Sequence, residues 1–232
     1  FSAHTQGLID FQEKFYLEML QQQAVSLALE EEWNEASVAG KRIEGWLKDV
    51  TGIASVQDPR RTYPYEISEH GTDFLFIFVN QRAVKEALRA DVNINWKRWS
   101  DAVESRMSAD YMKSTKWKVE MLVKWMPVLV YQGQFDLGFA VSVEEWLRSV
   151  DWSGMSEFWR TERKVWKVGT VVAGYIRSHS NLTNVVVARA GHEAAVDQRG
   201  SCQVMIESWV KNQAAANTDH VFQAPSWNLT IA

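Results

Sequence analysis

Val128-Leu129-Val130-Tyr131-Gln132-Gly133-Gln134-Phe135-Asp136 is the stretch that decides the fold. Pro127 ends a helical pattern just before it, and Val128 to Tyr131 is a continuous apolar run. Such a run predicts a short strand buried on both faces, because a strand with one wet face alternates polar and apolar residues instead. The run leads into a Gly turn and then a carboxylate. A second segment has the same form nearer the C-terminus, Val185-Val186-Val187-Ala188-Arg189-Ala190-Gly191-His192. Here a buried strand, read over residues 184–188, runs into Ala-Gly and then an imidazole. Reactive groups in open α/β sheets gather just beyond the carboxyl ends of the strands.

Taken singly, Asp136 reads as a helix cap and His192 as a solvated turn residue. Together, in the order Asp then His, they fit the Ser…Asp…His chain order of α/β-hydrolase triads. There a buried carboxylate fixes the tautomer of the general base and stabilises the imidazolium as it forms. The third member is not found. No Gly-x-Ser-x-Gly occurs in the chain, Ser153 beside Gly154 has no strand before it, and the upstream Ser residues fall in helices or loops.

Working outward, Asp10 followed by Glu13 is a capping-box start. Phe11, Phe15 and Met19, with Leu20, Ala24 and Leu27, predict an amphipathic helix to about Leu29. Ile43, Trp46, Leu47 and Val50 mark the apolar stripe of a second helix that Gly52 stops. From Thr51 to Gly71 the periodicity disappears, which predicts an exposed loop and a region open to processing. Asn80 is read as the cap of a helix carrying Val84 and Leu88. Asp110 is read as the cap of another, with Met112, Val119, Leu122 and Val123 on its buried side. Residues 144–149 read as helix, 165–168 and 171–176 as a hairpin about Gly169-Thr170, and 203–211 as a closing helix. The division that follows is a helical cap and exposed loop over residues 1–75, an α/β core over 76–213, and a tail over 214–232. The fold class is α/β, with strands alternating with helices over residues 111–211.

Composition bounds the function. Apolar residues make up 46% and charged residues 23% of 232, an ordinary globular balance. The net charge of −4, with scattered Lys and Arg, argues against a nucleic-acid partner. No apolar run reaches the ~18 residues of a membrane span. Twelve Trp point first to cores and interfaces. Cys202 is the single cysteine, which rules out an intramolecular disulfide and a thiolate zinc cluster; no metal or cofactor is expected. Two sequons, at Asn181 and Asn228, lean toward a secretory route.

The sequence resembles the serine carboxypeptidase family, most of all its plant members. The residues that carry the resemblance are Gly7-Leu8-Ile9-Asp10, the helix from Phe78 to Leu88, the segment from Val128 through Asp136 and Glu145-Trp146-Leu147 to Trp152, and Gly174-Tyr175, Asn181-Leu182-Thr183 and Ala190-Gly191-His192. The resemblance runs from about Gly7 to Gln213. It implies the C-terminal part of an α/β-hydrolase sheet with an N-terminal helical cap insertion, and catalytic roles for Asp136 and His192. It also implies that the chain follows the family's nucleophile segment, so that the Ser belongs to an upstream chain of the same precursor. Without that chain, this one is not expected to fold stably, because its first strand would leave an apolar edge open. The substrate would be a peptide or small molecule, and the location the secretory pathway, vacuolar or extracellular. Three functions stand side by side: a carboxypeptidase, an acyltransferase or lyase on the same machinery, and a catalytically silent subunit. Three departures bear on the choice: the scarcity of cysteines, Trp99-Ser100 where related sequences often have Cys-Ser, and Glu193-Ala194-Ala195 after the His. Glu193 sits beside the imidazole, and with Gln134 and Phe135 it is a candidate for the substrate pocket.

Overall fold

The computed structural model describes residues 2–64, 73–138 and 140–214. Contacts divide the chain into two compact units: Ala3–Val56 with Arg60–Lys113, and Gln57–Pro59 with the chain from Ser114 onward. The sequence reading set its division at residue 75, inside the first of these.

The first unit is helical: α1 (Ser2–Thr5), α2 (Phe11–Leu29), α3 (Trp33–Thr51), α4 (Phe74–Val79), α5 (Arg82–Ala87) and α6 (Asp101–Tyr111). The capping box forms as read. The Glu13 amide donates to Asp10 Oδ1 and the Asp10 amide to Glu13 Oε2, both at 2.8 Å. Gly52, in the left-handed region at φ 70°, closes α3. Helices α2 and α3 share a core in which Leu17, Leu47, Ile9 and Val56 are buried, with Ile43 and Trp46 packed against them.

Several expectations change here. Of the α2 residues that the periodicity picked out, Leu20 and Ala24 are buried, but Phe11, Phe15 and Met19 lie in solvent at 74%, 69% and 51% exposed. The buried stripe is Leu17, Leu20 and Ala24, because periodicity marks a face without saying which face meets a partner. The stretch after α3 is not simply an exposed loop, since Ser55, Val56 and Asp58 are buried. Asn80 ends α4 rather than starting α5. Its amide donates to the Phe76 and Trp96 carbonyls, both at 3.0 Å, and its Oδ1 accepts from the Trp96 amide at 2.9 Å. Asp110 lies in the last turn of α6 and caps nothing downstream. Asp73 caps α4, and the Arg98 guanidinium that hydrogen-bonds it holds its carboxyl below the usual range.

The second unit holds α7 (Lys116–Leu122), β1 (Val128–Gly133), α8 (Ala140–Arg148), α9 (Met155–Arg160), β2 (Lys164–Val168), β3 (Val171–His179), β4 (Leu182–Val187), α10 (Ala194–Asp197) and α11 (Arg199–Ala214). The four strands form one sheet in the order β1-β4-β3-β2. β1 and β4 run parallel, in register from Val128 opposite Leu182 to Gly133 opposite Val187. The other pairs are antiparallel, and β2 and β3 make the expected hairpin with Gly169 at φ 60° in its turn. β4 is the buried strand the sequence promised. β1 is half-buried: Leu129 packs into one core and Val128 and Val130 into the other, Tyr131 is 45% exposed, and the strand lies at the edge of the sheet, as expected of this chain alone.

Each face of the sheet has its own core. On one, Trp166, Ile176, Val185 and Val187 pack with Met205 and Cys202 of α11. On the other, Leu182 packs with Leu147 of α8 and Phe158 of α9, with Trp146, Trp152 and Trp159 around them. Many of the tryptophans thus serve cores, as their abundance suggested. No helix among the described residues is long and apolar enough to cross a membrane. The Asn228 sequon and nearly all of the tail lie outside the described residues.

The Phe158 ring is fully buried between α9 and the sheet. Phe158→Ala is expected to lower unfolding stability by about 3–5 kcal/mol, read by denaturant titration of the full-length protein. A loss below about 1 kcal/mol would show that this core does not hold the unit together.

Candidate active site

The parallel register brings the ends of β1 and β4 level, so the loops that follow them leave the sheet side by side. Backbone pairing then continues beyond the strands. The Gln134 amide donates to the Val187 carbonyl at 3.0 Å and the Phe135 amide to the Ala190 carbonyl at 2.8 Å. Three residues after β1 comes Asp136; five after β4 comes His192. Residues 56 apart in the chain meet there, with His192 Nδ1 2.7 Å from Asp136 Oδ2.

The environment of the pair is asymmetric. The Asp136 side chain is 3% exposed and that of His192 37%. A buried carboxylate is costly unless its oxygens are met by donors. Here Oδ1 accepts from the Gly138 amide at 3.0 Å while Oδ2 takes the imidazole. The carboxylate is held from two sides, and it orients a ring whose body reaches the surface.

Other groups fix the His192 loop. The His192 amide donates to the Gln57 carbonyl at 2.8 Å. The Gly191 amide donates to Asp197 Oδ2 at 2.7 Å. Arg189 takes a left-handed conformation at φ 58°, and its amide donates to Gln134 Oε1 at 3.1 Å. Gly133 makes the close approach of the two loops possible. A Cβ built on it would stand 1.9 Å from the Gly191 carbonyl oxygen and 2.6 Å from that of Ala190. Only glycine fits between the end of β1 and the backbone that carries the imidazole.

The structure therefore joins Asp136 and His192 and draws Gln134 into the junction of their loops. Phe135 takes part through its backbone and is half-buried. Glu193 is exposed; its carbonyl accepts the amides of Val196 and Asp197 at the start of α10. Sequence reasoning missed Gln57 and Asp197. Gln57 carries no local signal, since it acts through a backbone carbonyl from far upstream. Asp197 ends α10, five residues after His192, and its only signal is a carboxylate close in sequence to the loop it holds. Cys202 offers no alternative nucleophile: burial pushes its thiol up, and the nearby Asp197 charge adds to this. Among the described residues no cluster of His, Cys, Asp or Glu is arranged to hold a metal ion.

The Asn181 amide nitrogen, the atom a glycan would take, donates to the Val123 carbonyl at 2.9 Å. Thr183 of the same sequon is buried, with its hydroxyl 2.8 Å from that of Ser178.

Known proteins resemble this chain along most of its length. The family model "Serine carboxypeptidase" matches residues 6–212. Serine carboxypeptidase-like 50 of Arabidopsis thaliana is 34% identical over 230 residues, covering 98% of this chain and 51% of that protein. The venom serine carboxypeptidase of Apis mellifera is 28% identical over 83% of this chain and 42% of its own length. Among solved structures, a prohormone-processing carboxypeptidase from Saccharomyces cerevisiae superposes with a TM-score of 0.69 at 18% identity, covering 90% of this chain and 50% of that one. That likeness is one of fold. The chain spans about half the length of the relatives it matches.

Two outcomes follow from the site. Gly133→Ala is expected to cost more than about 2 kcal/mol of stability, because the backbone it strikes has to move. It should also shift the His192 ring resonances in NMR spectra; unchanged resonances would separate Gly133 from the placement of the imidazole. Asn181 is expected to carry no glycan in the folded protein. Its conversion to Asp by peptide N-glycosidase, seen by mass spectrometry, would contradict that.

Proposed function

Because the chain belongs to the serine carboxypeptidase family, we propose that Asp136 and His192 are two members of a Ser-Asp-His triad that cleaves acyl bonds, with hydrolysis at the C-terminus of peptides as its reaction. The nucleophilic Ser belongs to the half of the family architecture that this chain does not span, carried on an upstream chain of the same precursor. The single observation that carries the reading is the short bond between His192 Nδ1 and the buried Asp136 Oδ2.

The chemistry follows from that bond. With Nδ1–H committed to Asp136, the neutral imidazole has its lone pair on Nε2, where it accepts the Ser proton as the hydroxyl oxygen attacks the substrate carbonyl. The imidazolium so formed is stabilised by the carboxylate and gives the proton to the leaving amine. Water then enters, loses a proton to Nε2, and displaces the acyl group from the Ser oxygen. Low exposure of Asp136 keeps the carboxylate–imidazolium attraction strong, because little water screens it.

A segment beyond this chain is further supported by β1. Its outer edge meets no strand among the described residues, and an apolar edge strand is ordinarily covered or paired. A secretory location is supported by the family and by the venom relative.

A fluorophosphonate probe is expected to label the Ser of the full-length protein. Asp136→Asn should lower kcat by about 10⁴ by favouring the wrong tautomer, with the fold unchanged by circular dichroism. His192→Gln should abolish labelling on the same time scale. Equal labelling rates in wild type and His192→Gln would sink the proposal.

A further inference from the structure

We propose that a cleft on the α8/α9 face of the sheet is a binding site for a small oxyanion of the carboxylate class, held by Arg163 and Arg177. The cleft is small and open to solvent, and Gln132, Asn184, Trp159, Arg163, Arg177 and Glu144 line it. It is separate from the Asp136–His192 pair. Alternation along β4 puts Asn184 on the same face as Leu182, whereas Val185 and Val187 point into the opposite core. The catalytic pair stands in the loops beyond the strand ends.

Three polar atoms mark this cleft as built for a ligand. Gln132 Oε1, Asn184 Oδ1 and Trp159 Nε1 are buried and have no hydrogen-bond partner among the described residues. Native interiors seldom leave such groups unmet, and three around one cleft point to a polar guest. The two amides come from adjacent strands, β1 and β4, and the indole from α9, so three elements converge on the same space.

The charge selects the guest. Arg163 Cζ lies 4.0 Å from the centroid of the Tyr175 ring, and Arg177 Cζ lies 4.8 Å from that of Trp159. Arg177 Nη1 also donates to the Trp159 carbonyl at 2.7 Å. Stacking holds the guanidinium planes while leaving N–H edges to bind. Neither guanidinium has a carboxylate partner among the described residues. Glu144, the one acid in the lining, is paired with Arg148 at 3.1 Å. A cation is therefore repelled. An apolar guest would leave the amides and the indole unmet. The indole and guanidinium groups only donate, and an amide turned about its last bond presents N–H where it had presented oxygen. A planar oxyanion accepts from all of them, and a guanidinium meets a carboxylate through two parallel bonds.

The carboxylate can be a free small acid or an Asp or Glu side chain from the part of the protein that this chain does not span. The test uses the full-length protein at constant ionic strength, titrating acetate against chloride and following tryptophan fluorescence and heat. The expected result is a saturable response to acetate alone, weakened about tenfold or more by Arg177→Gln and by Asn184→Leu. Arg163→Gln, which removes no backbone hydrogen bond, serves if Arg177→Gln fails to fold. If acetate gives no response, a crystal structure of the full-length protein decides. An acidic side chain of the protein on Arg163 or Arg177 supports the proposal through its second source. A cleft holding only water overturns it, as does an acetate response that is the same in wild type and variants.

Discussion

The parallel pairing of β1 with β4 is the constraint on which the rest of the structure depends. Its register sets Gly133 opposite Val187, so both strands end at one level and both loops begin together. A slip of one residue would turn Val185 and Val187 away from α11 and send Asn184 into that apolar core. The register is thus protected by burial on both faces of β4, and the Asp136–His192 contact inherits its precision from that burial. Apolar packing far from the pair positions the polar chemistry.

The pair also shows how a protein keeps a charge where water is scarce. Asp136 is nearly inaccessible, so its carboxylate oxygens depend on donors within the protein. The Gly138 amide and the imidazole meet that need with hydrogen bonds to separate oxygens. The loop carrying His192 is in turn bound through the Gln57 carbonyl and the Asp197 carboxylate. A glycine at position 133 lets the two backbones approach closely enough for all of this to form. The cleft on the α8/α9 face presents the inverse case, with two guanidinium groups that no carboxylate among the described residues meets.

Much of the fold was legible because local chemistry decides it. The capping box at Asp10 and Glu13, the stop at Gly52 and the hairpin at Gly169 each depend on residues close in the chain. Reading failed where a partner far along the chain was needed. Asn80 looked like a helix start because Asn favours caps, yet its amide is spent on Phe76 and Trp96. Phe11, Phe15 and Met19 repeat at helical spacing yet face solvent, while Leu20 and Ala24 of the same apolar set, joined by Leu17, hold the inward face. β1 reads as buried on both faces, and Leu129 packs into one core and Val128 and Val130 into the other, but only in part, because Tyr131 meets solvent.

The sequence by itself determined the residue types of the site and their order. Two apolar runs, each ending in a small-residue turn and then Asp136 or His192, were enough to name the pair, because strand length and turn chemistry are local properties. Tertiary structure alone decided that the two side chains touch, which oxygen takes the imidazole, and that Gln57 and Asp197 hold the loop. Those facts depend on register and on backbone groups brought together across long stretches of chain. A backbone carbonyl leaves no trace in the identity of its residue, so no reading of side chains along the sequence reveals it.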